Sequence, residues 1–333
     1  MLTKVIHGSS AFSELASEWD TLAQNGMTDT PFQTRAYQQA WWTHLHPPQA
    51  TLHTVTVWQS NEPVAIACFY LLDGTLYFNG CVEETDYLDL IASADKAQAA
   101  WTAVFDRLCS PDFPTWHALD LCNIPEASPS RPILRQIAEQ YGFHWHEEIN
   151  EVCPVITLPQ TFDEYLDTLD KKQRHEIRRK LRRAHGAGVS IRQIGPEDNL
   201  EQAVNDFLTL LQLSTFEKRD WLNDGRRAVF HETARAALEN GTLQLLFAEI
   251  EGEHAAALFN FDYKNRIWVY NSGLNPTIYG NLSIGVVLTA KAIEMAIENG
   301  RSEFDFLRGN EEYKYRFGAT DTRIYRVQIT RAV

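Results

Sequence analysis

The chain has 333 residues, too many for one ordinary α/β domain and enough for two that each bury a core. With 44% hydrophobic and 22% charged residues, and aromatics along its whole length, it is a folding chain and not a disordered one. The net charge of −14 argues against a dedicated nucleic-acid binder, and it is uneven: residues 1–150 carry 6 basic and 18 acidic side chains (−12), residues 151–333 carry 24 and 26 (−2), so an anionic ligand is expected in the second half.

In chain order, a short strand is expected near Thr3–His7. A helix across Phe12–Ala23 follows, with Leu15, Trp19 and Leu22 at helical spacing, and then a helix after Thr34 carrying Tyr37, Trp41 and Trp42. The period then changes to two, predicting strands at 52–59, 63–72, 75–79 and 87–91, a helix at 95–109 and a strand at 116–121. After Pro159 come helices at 161–169 and 171–185, the latter stopped by Gly186 and Gly188, then helices at 198–215 and 225–240. Strands return at 242–251, 254–263 and 266–273, followed by a helix at 284–299 and a strand at 303–307.

The two halves show the same order: an antiparallel meander, a long helix, another strand. A shift of 191 residues aligns Glu62 with Glu253, Ala65 with Ala256, Leu76 with Ile267 and Tyr77 with Trp268, which points to an internal duplication. Domains are expected at 1–155 and 156–333. Met1–Ser10 lacks the pattern of an export signal, and the longest nearly apolar run, Pro63–Leu72, is far short of a bilayer span, so a cytoplasmic location without a transmembrane segment is expected. Five scattered cysteines, Cys68, Cys81, Cys109, Cys122 and Cys153, with no CxxC, read as reduced thiols and not as a metal site.

Three stretches carry a resemblance: Thr30-Pro-Phe-Gln-Thr-Arg-Ala-Tyr-Gln-Gln-Ala-Trp-Trp42, Leu169-Asp-Lys-Lys-Gln-Arg-His-Glu-Ile-Arg-Arg-Lys-Leu-Arg-Arg183, and Phe304-Asp-Phe-Leu-Arg-Gly-Asn-Glu-Glu-Tyr-Lys-Tyr-Arg-Phe317. Together they resemble the CelD-type acetyltransferases of cellulose and exopolysaccharide production, relatives of the Fem-type peptidoglycan aminoacyltransferases. The resemblance implies an α/β chain of two tandem GNAT-like (acyl-CoA N-acyltransferase) domains, each a mixed, mostly antiparallel sheet flanked by helices. It also implies transfer of an acyl group from acetyl-CoA or another acyl-CoA to an amine or hydroxyl of a cell-envelope precursor, a sugar nucleotide or lipid-linked acceptor. A tRNA-borne aminoacyl donor and a catalytically silent binding module are the alternatives. The C-terminal strand, near 323–331, is expected to return to the first domain.

Donor phosphates are expected at a helix N-terminus, where unpaired N–H groups and the helix dipole favour anions. That place is Tyr279-Gly280-Asn281-Leu282-Ser283-Ile284-Gly285, with Gly280 for an unusual backbone conformation, Ser283 as N-cap and Gly285 for close approach. The common Gln/Arg-x-x-Gly-x-Gly/Ala signature is missing there. Eight positive charges on residues 171–183 flank a stripe of Ile177, Leu181 and Ala184, and suit a phosphate-rich substrate held by Arg174 and Arg178; a solvated face with a Glu176–Lys180 pair is the plainer account.

Alternation around Phe304-Asp305-Phe306 turns Asp305 toward the cleft. By the Fem resemblance, Lys314 stabilises the acyl oxyanion with Tyr313 beneath it, while Asp305 and Glu311 are the candidates for general base and a salt bridge of Lys314 is the alternative. Arg308 and Tyr270 complete the expected substrate contacts, and Tyr270 and Tyr279 are candidate proton donors to the leaving group. The first-half loop from Cys81 to Leu90 is acidic and poor in glycine, suited to acceptor contacts or scaffold. The eleven histidines form no hydrolase-like arrangement.

Overall fold

The computed structural model describes residues 1–81 and 84–331. Helical and strand periods resolve into β1 (Leu2–His7), α1 (Ala11–Glu14), α2 (Trp19–Gln24), α3 (Arg35–Leu45), β2 (Thr51–Gln59), β3 (Glu62–Leu72), β4 (Thr75–Phe78), β5 (Ile91–Ala92), α4 (Ala97–Leu108), β6 (Ala118–Pro125), α5 (Ser130–Tyr141) and β7 (His144–Thr157). They continue as α6 (Phe162–Thr168), α7 (Lys171–Gly186), β8 (Ser190–Gln193), α8 (Leu200–Ser214), α9 (Phe216–Trp221), α10 (Asp224–Glu239), β9 (Leu243–Ile250), β10 (Glu253–Tyr263), β11 (Arg266–Leu274), α11 (Ile284–Glu298), β12 (Glu303–Asp305), α12 (Glu312–Arg316) and β13 (Thr320–Thr330).

The chain parts into two compact units: residues 1–152 with 322–333, and residues 153–321. In the first, the strand order is β1-β2-β3-β4-β6-β13, with β5 on β3. In the second it is β8-β9-β10-β11-β12-β7. Each is an antiparallel meander followed by one parallel pair, β4 with β6 and β11 with β12, and then an antiparallel closing strand. The parallel register joins Leu76 to Leu119 and Tyr77 to Asp120 in one unit, and Ile267 to Phe304 and Trp268 to Asp305 in the other. The 191-residue shift superposes the β4 and β11 members of these pairs, Leu76 on Ile267 and Tyr77 on Trp268, while their β6 and β12 partners correspond by topology and not by that shift.

Each unit has its own core. That of the first holds Trp19, Trp41, Phe69, Phe78, Trp101 and Trp116. In the second, α11 lays Ile284, Leu288, Ala292 and Ile293 on Ile267, Val269 and Leu258, and α7 covers α11 with Ile177 and part of Leu181. The opposite sheet face packs Phe207, Phe230, Phe259 and Tyr270 together beneath α8 and α10. Gly273 makes this possible, since a Cβ there would sit 2.6 Å from the Leu211 backbone nitrogen.

Four local expectations are corrected. The helix expected across Phe12–Ala23 is two short ones, α1 and α2, with a turn at residues 15–18 between them. Residues 87–90 form no strand; only Ile91 and Ala92 pair, because the preceding loop is tied down by side-chain bonds. Helix α5 stands where none is expected, since Pro132 lies in its first turn, where the missing N–H costs nothing, and Gly142 closes it at φ +69°. Cys81 and Cys122 are disulfide-bonded and not free thiols, because the fold brings the loop after β4 onto β6.

Candidate active site

In the second unit β11 and β12 part. They pair only from Arg266–Glu303 to Trp268–Asp305; β11 runs on to Leu274 while β12 stops. The chain leaving β12 turns sharply through Leu307 at φ +57° and Gly309 at φ +105°. For a bulky side chain the left-handed conformation of Leu307 is rare and must be held in place. Two expected site residues hold it. Asp305, 4% exposed, accepts a hydrogen bond from the Leu307 N–H at 2.7 Å, which ties one of its carboxylate oxygens to the turn. Lys314, 2% exposed, donates to the carbonyls of Leu307, Arg308 and Gly309 at 3.2, 2.6 and 3.1 Å and pairs with Glu311 at 2.9 Å. Three ammonium protons thus meet four acceptors. The Glu311 carboxylate lies so close to Gly309 that a Cβ would come within 2.5 Å of it.

At the other end of the gap stands the tip of α11. A 3-10 turn at Gly280–Leu282 leads into it, and no side chain caps the first turn. Ser283 occupies the N-cap position without capping, and the left-handed residues are Tyr279 and Ser283, not Gly280. A Cβ added to Gly280 or Gly285 would meet nothing within 4 Å, so the helix tip is open. The Tyr279 hydroxyl lies 3.4 Å from Glu251. Asn281 is exposed in the turn.

Beside this tip is a cavity of about 310 Å³ between α7, α11 and α12, whose polar lining is Lys172, Gln173, Glu176, Lys180, Glu312 and Arg316 over Ile177, Val286 and Phe317, with Tyr313 at its edge. Glu176 pairs with Lys180 at 3.3 Å and Glu312 with Arg316 at 2.7 Å. Tyr313 is 41% exposed, its ring edge-on to Phe306.

Arg174 and Arg178 do not line this cavity. They bind Asp167 at 2.6 Å and Asp163 at 3.2 Å, both on α6. Because Ile177 and Leu181 face α11, the residues that flank this stripe point to the cavity, and Lys172 and Lys180 could have been read from helical spacing. Tyr270 lies among Phe230, Phe259 and Phe261 on the other sheet face. Lys218, unnoticed in the sequence, reaches β11 beyond the end of its pairing with β12.

The first unit fills its equivalent gap with its own chain. After Tyr77–Asp120 the loop from β4 is bonded to β6 by Cys81–Cys122, by the Leu88 N–H to the Asn123 carbonyl at 3.1 Å, and by the Asn123 amide to the Thr85 carbonyl at 2.5 Å. Asp89, 4% exposed, accepts from Thr28, Ser128 and Ser130 at 2.7, 2.5 and 2.5 Å and from the Leu90 N–H at 2.8 Å. Burial holds its carboxyl above the usual range against these bonds.

Residues 171–315, inside the second unit, match the acetyltransferase (GNAT) domain. The fold of the whole chain is similar to that of FemX, with TM-score 0.69 and 10% identity over 98% of this chain and 97% of that one. It is also similar to a tandem GNAT protein from the clavulanic acid biosynthesis pathway, with TM-score 0.51 and 15% identity over 98% of each chain. The chain folds as two GNAT-like domains in tandem. A third likeness is to the C-terminal domain of a protein described as a lysylphosphatidylglycerol synthetase from Agrobacterium fabrum, with TM-score 0.58 and 8% identity over 95% of this chain and 93% of that one. No curated protein matches the sequence significantly. Among the described residues no helix is long and apolar enough to cross a membrane, and no group of three or more His, Cys, Asp or Glu is placed to hold a metal ion.

Proposed function

We propose that the second unit is an acyltransferase that takes its acyl group from acyl-CoA, and that the first unit binds no donor. The observation that carries this reading is the parting of β11 and β12 after Trp268–Asp305 in front of an open, uncapped helix tip, set against the filled gap of the first unit. Backbone N–H groups at Tyr279–Gly285 and the dipole of α11 would hold the donor's diphosphate, with Lys172, Lys180 and Arg316 supplying charge from the cavity wall. A bound thioester supplies the activated acyl group. The chain's own task is to hold it in the gap and to stabilise the oxyanion of the addition step.

Lys314, expected to contact that oxyanion, is buried with its protons taken by protein acceptors, and it contributes by position instead. Its ammonium holds the Leu307–Gly309 carbonyls and keeps the left-handed turn that ends the gap, while Glu311 balances its charge. Tyr313, exposed at the cavity, is free to contact the donor. An envelope or exopolysaccharide precursor is the acceptor that the CelD-type resemblance favours. An aminoacyl-tRNA donor is a second reading, favoured by the run of cations on α7, which is longer than one diphosphate requires.

Acetyl-CoA added to the full chain should raise its melting temperature, because a ligand of the folded state stabilises it. Gly285→Asp, which places a carboxylate at the open helix tip, should abolish that rise without changing the melting temperature of the free protein by more than about 3 °C. No rise with acetyl-CoA, or an equal rise in Gly285→Asp, would remove the donor site.

A further inference from the structure

Lys218 is a charged group that the acyl-transfer reading leaves unused. It sits on α9, whose first turn is capped by Thr215, with Oγ1 accepting the Lys218 N–H at 3.2 Å. Its side chain is half buried and reaches β11 just past the last partner of β12, with Nζ 3.0 Å from Asn271 Oδ1, 2.7 Å from the Ser272 carbonyl and 3.3 Å from Ser272 Oγ. It therefore enters the gap from the side of α8 and α10, opposite the tip of α11.

The surroundings suit both protonation states of this amine. As an ammonium it satisfies three acceptors. As a free amine it keeps two N–H bonds, to Asn271 and the Ser272 carbonyl, and the Ser272 hydroxyl, which donates as well as accepts, turns its proton onto the lone pair. The charged groups that act on it are Glu311 and Lys314, the pair that holds the turn beyond β12. Burial is the largest influence and lowers its pKa to about 8; Glu311 opposes this and Lys314 adds to it. Asp305 gives one carboxylate oxygen to the Leu307 N–H, and Glu311 pairs with Lys314.

Resting on the acyl-transfer reading, we propose that Lys218, through the Ser272 hydroxyl, is the base that deprotonates the amine or hydroxyl acceptor, which enters from the α8–α10 side of the gap. As the acceptor attacks the acyl carbon, its proton passes to Ser272 Oγ and the serine proton to Lys218 Nζ. The new C–N or C–O bond forms and the C–S bond of the thioester breaks. The departing thiolate takes a proton from solvent, and Lys218 returns its proton there. Water can be the nucleophile in the same arrangement, so the chain should release thiol slowly from acetyl-CoA alone.

The test uses the full chain with lysine labelled at ¹³Cε, with acetyl-CoA as probe and water as acceptor, across about pH 6 to 10. The resonance absent from Lys218→Arg should titrate near pH 8, and thiol release should climb to a plateau over the same range. Lys218→Arg should release thiol on the order of 100-fold more slowly while acetyl-CoA still raises its melting temperature. Ethylamine should restore part of the rate of Lys218→Ala, and Ser272→Ala should be slow with the lysine titration still present. The proposal is overturned if Lys218 titrates with the ordinary lysines above about pH 10, if Lys218→Arg matches the wild type, or if acetyl-CoA stabilises the wild type with no thiol released above the buffer blank. A failure of acetyl-CoA to stabilise any form overturns the donor reading on which the proposal rests, whereas stabilisation with an unchanged rate in Lys218→Arg overturns the role of Lys218 alone.

Discussion

Trp268 and Asp305 are the last residues through which β11 and β12 are paired, and everything chemical in the second unit is arranged around their separation. Beyond Asp305 the strand turns through a left-handed Leu307, and beyond Trp268 the partner strand runs on without β12 to meet Lys218. The matching pair in the first unit, Tyr77 and Asp120, is followed by a loop bonded into place. Duplicated topology therefore leaves one open gap and one closed.

Replacing Lys314 by methionine keeps the length of the side chain and removes its charge. The carbonyls of Leu307, Arg308 and Gly309 lose their donor, and Glu311 loses its partner. A buried ammonium with this many bonds should be worth about 3 kcal/mol of unfolding free energy, measured by urea titration. Glu311→Gln, half exposed, should cost about 1 kcal/mol or less. Equal stability of Lys314→Met and wild type would mean that the turn does not depend on this lysine.

Gly273 and Gly285 make a controlled pair. A methyl at Gly273 would lie 2.6 Å from the Leu211 nitrogen and 2.7 Å from Leu210 Cβ, so α8 must move off β11; Gly273→Ala should cost roughly 2 kcal/mol or more. At Gly285 the methyl meets open space, and Gly285→Ala should be neutral or stabilise α11 by up to about 1 kcal/mol. Thermal melts of the two variants side by side decide this.

Asp89→Ala removes the common acceptor of Thr28, Ser128 and Ser130 and leaves their hydroxyls buried without it. A loss of about 3 kcal/mol is expected in urea unfolding, with the acetyl-CoA shift of the second unit retained at low denaturant. If Asp89→Ala were as stable as wild type, the closed gap of the first unit would owe nothing to this network.

His53 sets a pH dependence. It is 6% exposed, its Nδ1 is 2.8 Å from that of His7, and burial, with His7 adding to it, lowers its pKa from 6.5 to about 4. Between these values the unfolded chain binds the extra proton, so this residue's contribution is complete above about pH 6.5 and falls as pH drops toward 4, by up to about 3 kcal/mol. Urea titrations at both ends of that window should show the loss in wild type and a smaller one in His53→Phe.

Much of the site's scaffold can be read from periodicity. The 3.6-residue period of α11, the 171–185 helix with its Ile177 stripe, the β10–β11 hairpin and the order meander, helix, strand are all local patterns, and they recur in the structure with shifts of a residue or two at their ends. Helix α9 and strand β7 carry weaker patterns. The first is only six residues long. The second has a largely exposed first half, so its apolar residues do not alternate strictly.

By itself, then, the sequence determined the strongly periodic helices and strands but not α5, α9, β7 or β8, and it determined that the order meander, helix, strand repeats and that the second half carries most of the basic side chains. Those properties depend on side chains a few positions apart. Only the tertiary structure decided that Arg174 and Arg178 turn to α6 while Lys172 and Lys180 face the cavity, that Cys81 meets Cys122, that Asp305 accepts from the Leu307 N–H, and that Lys218 reaches Ser272 from 54 residues away. Each of these follows from which face of an element its neighbours cover, and a neighbour that is remote in the chain leaves no period in the residues around it.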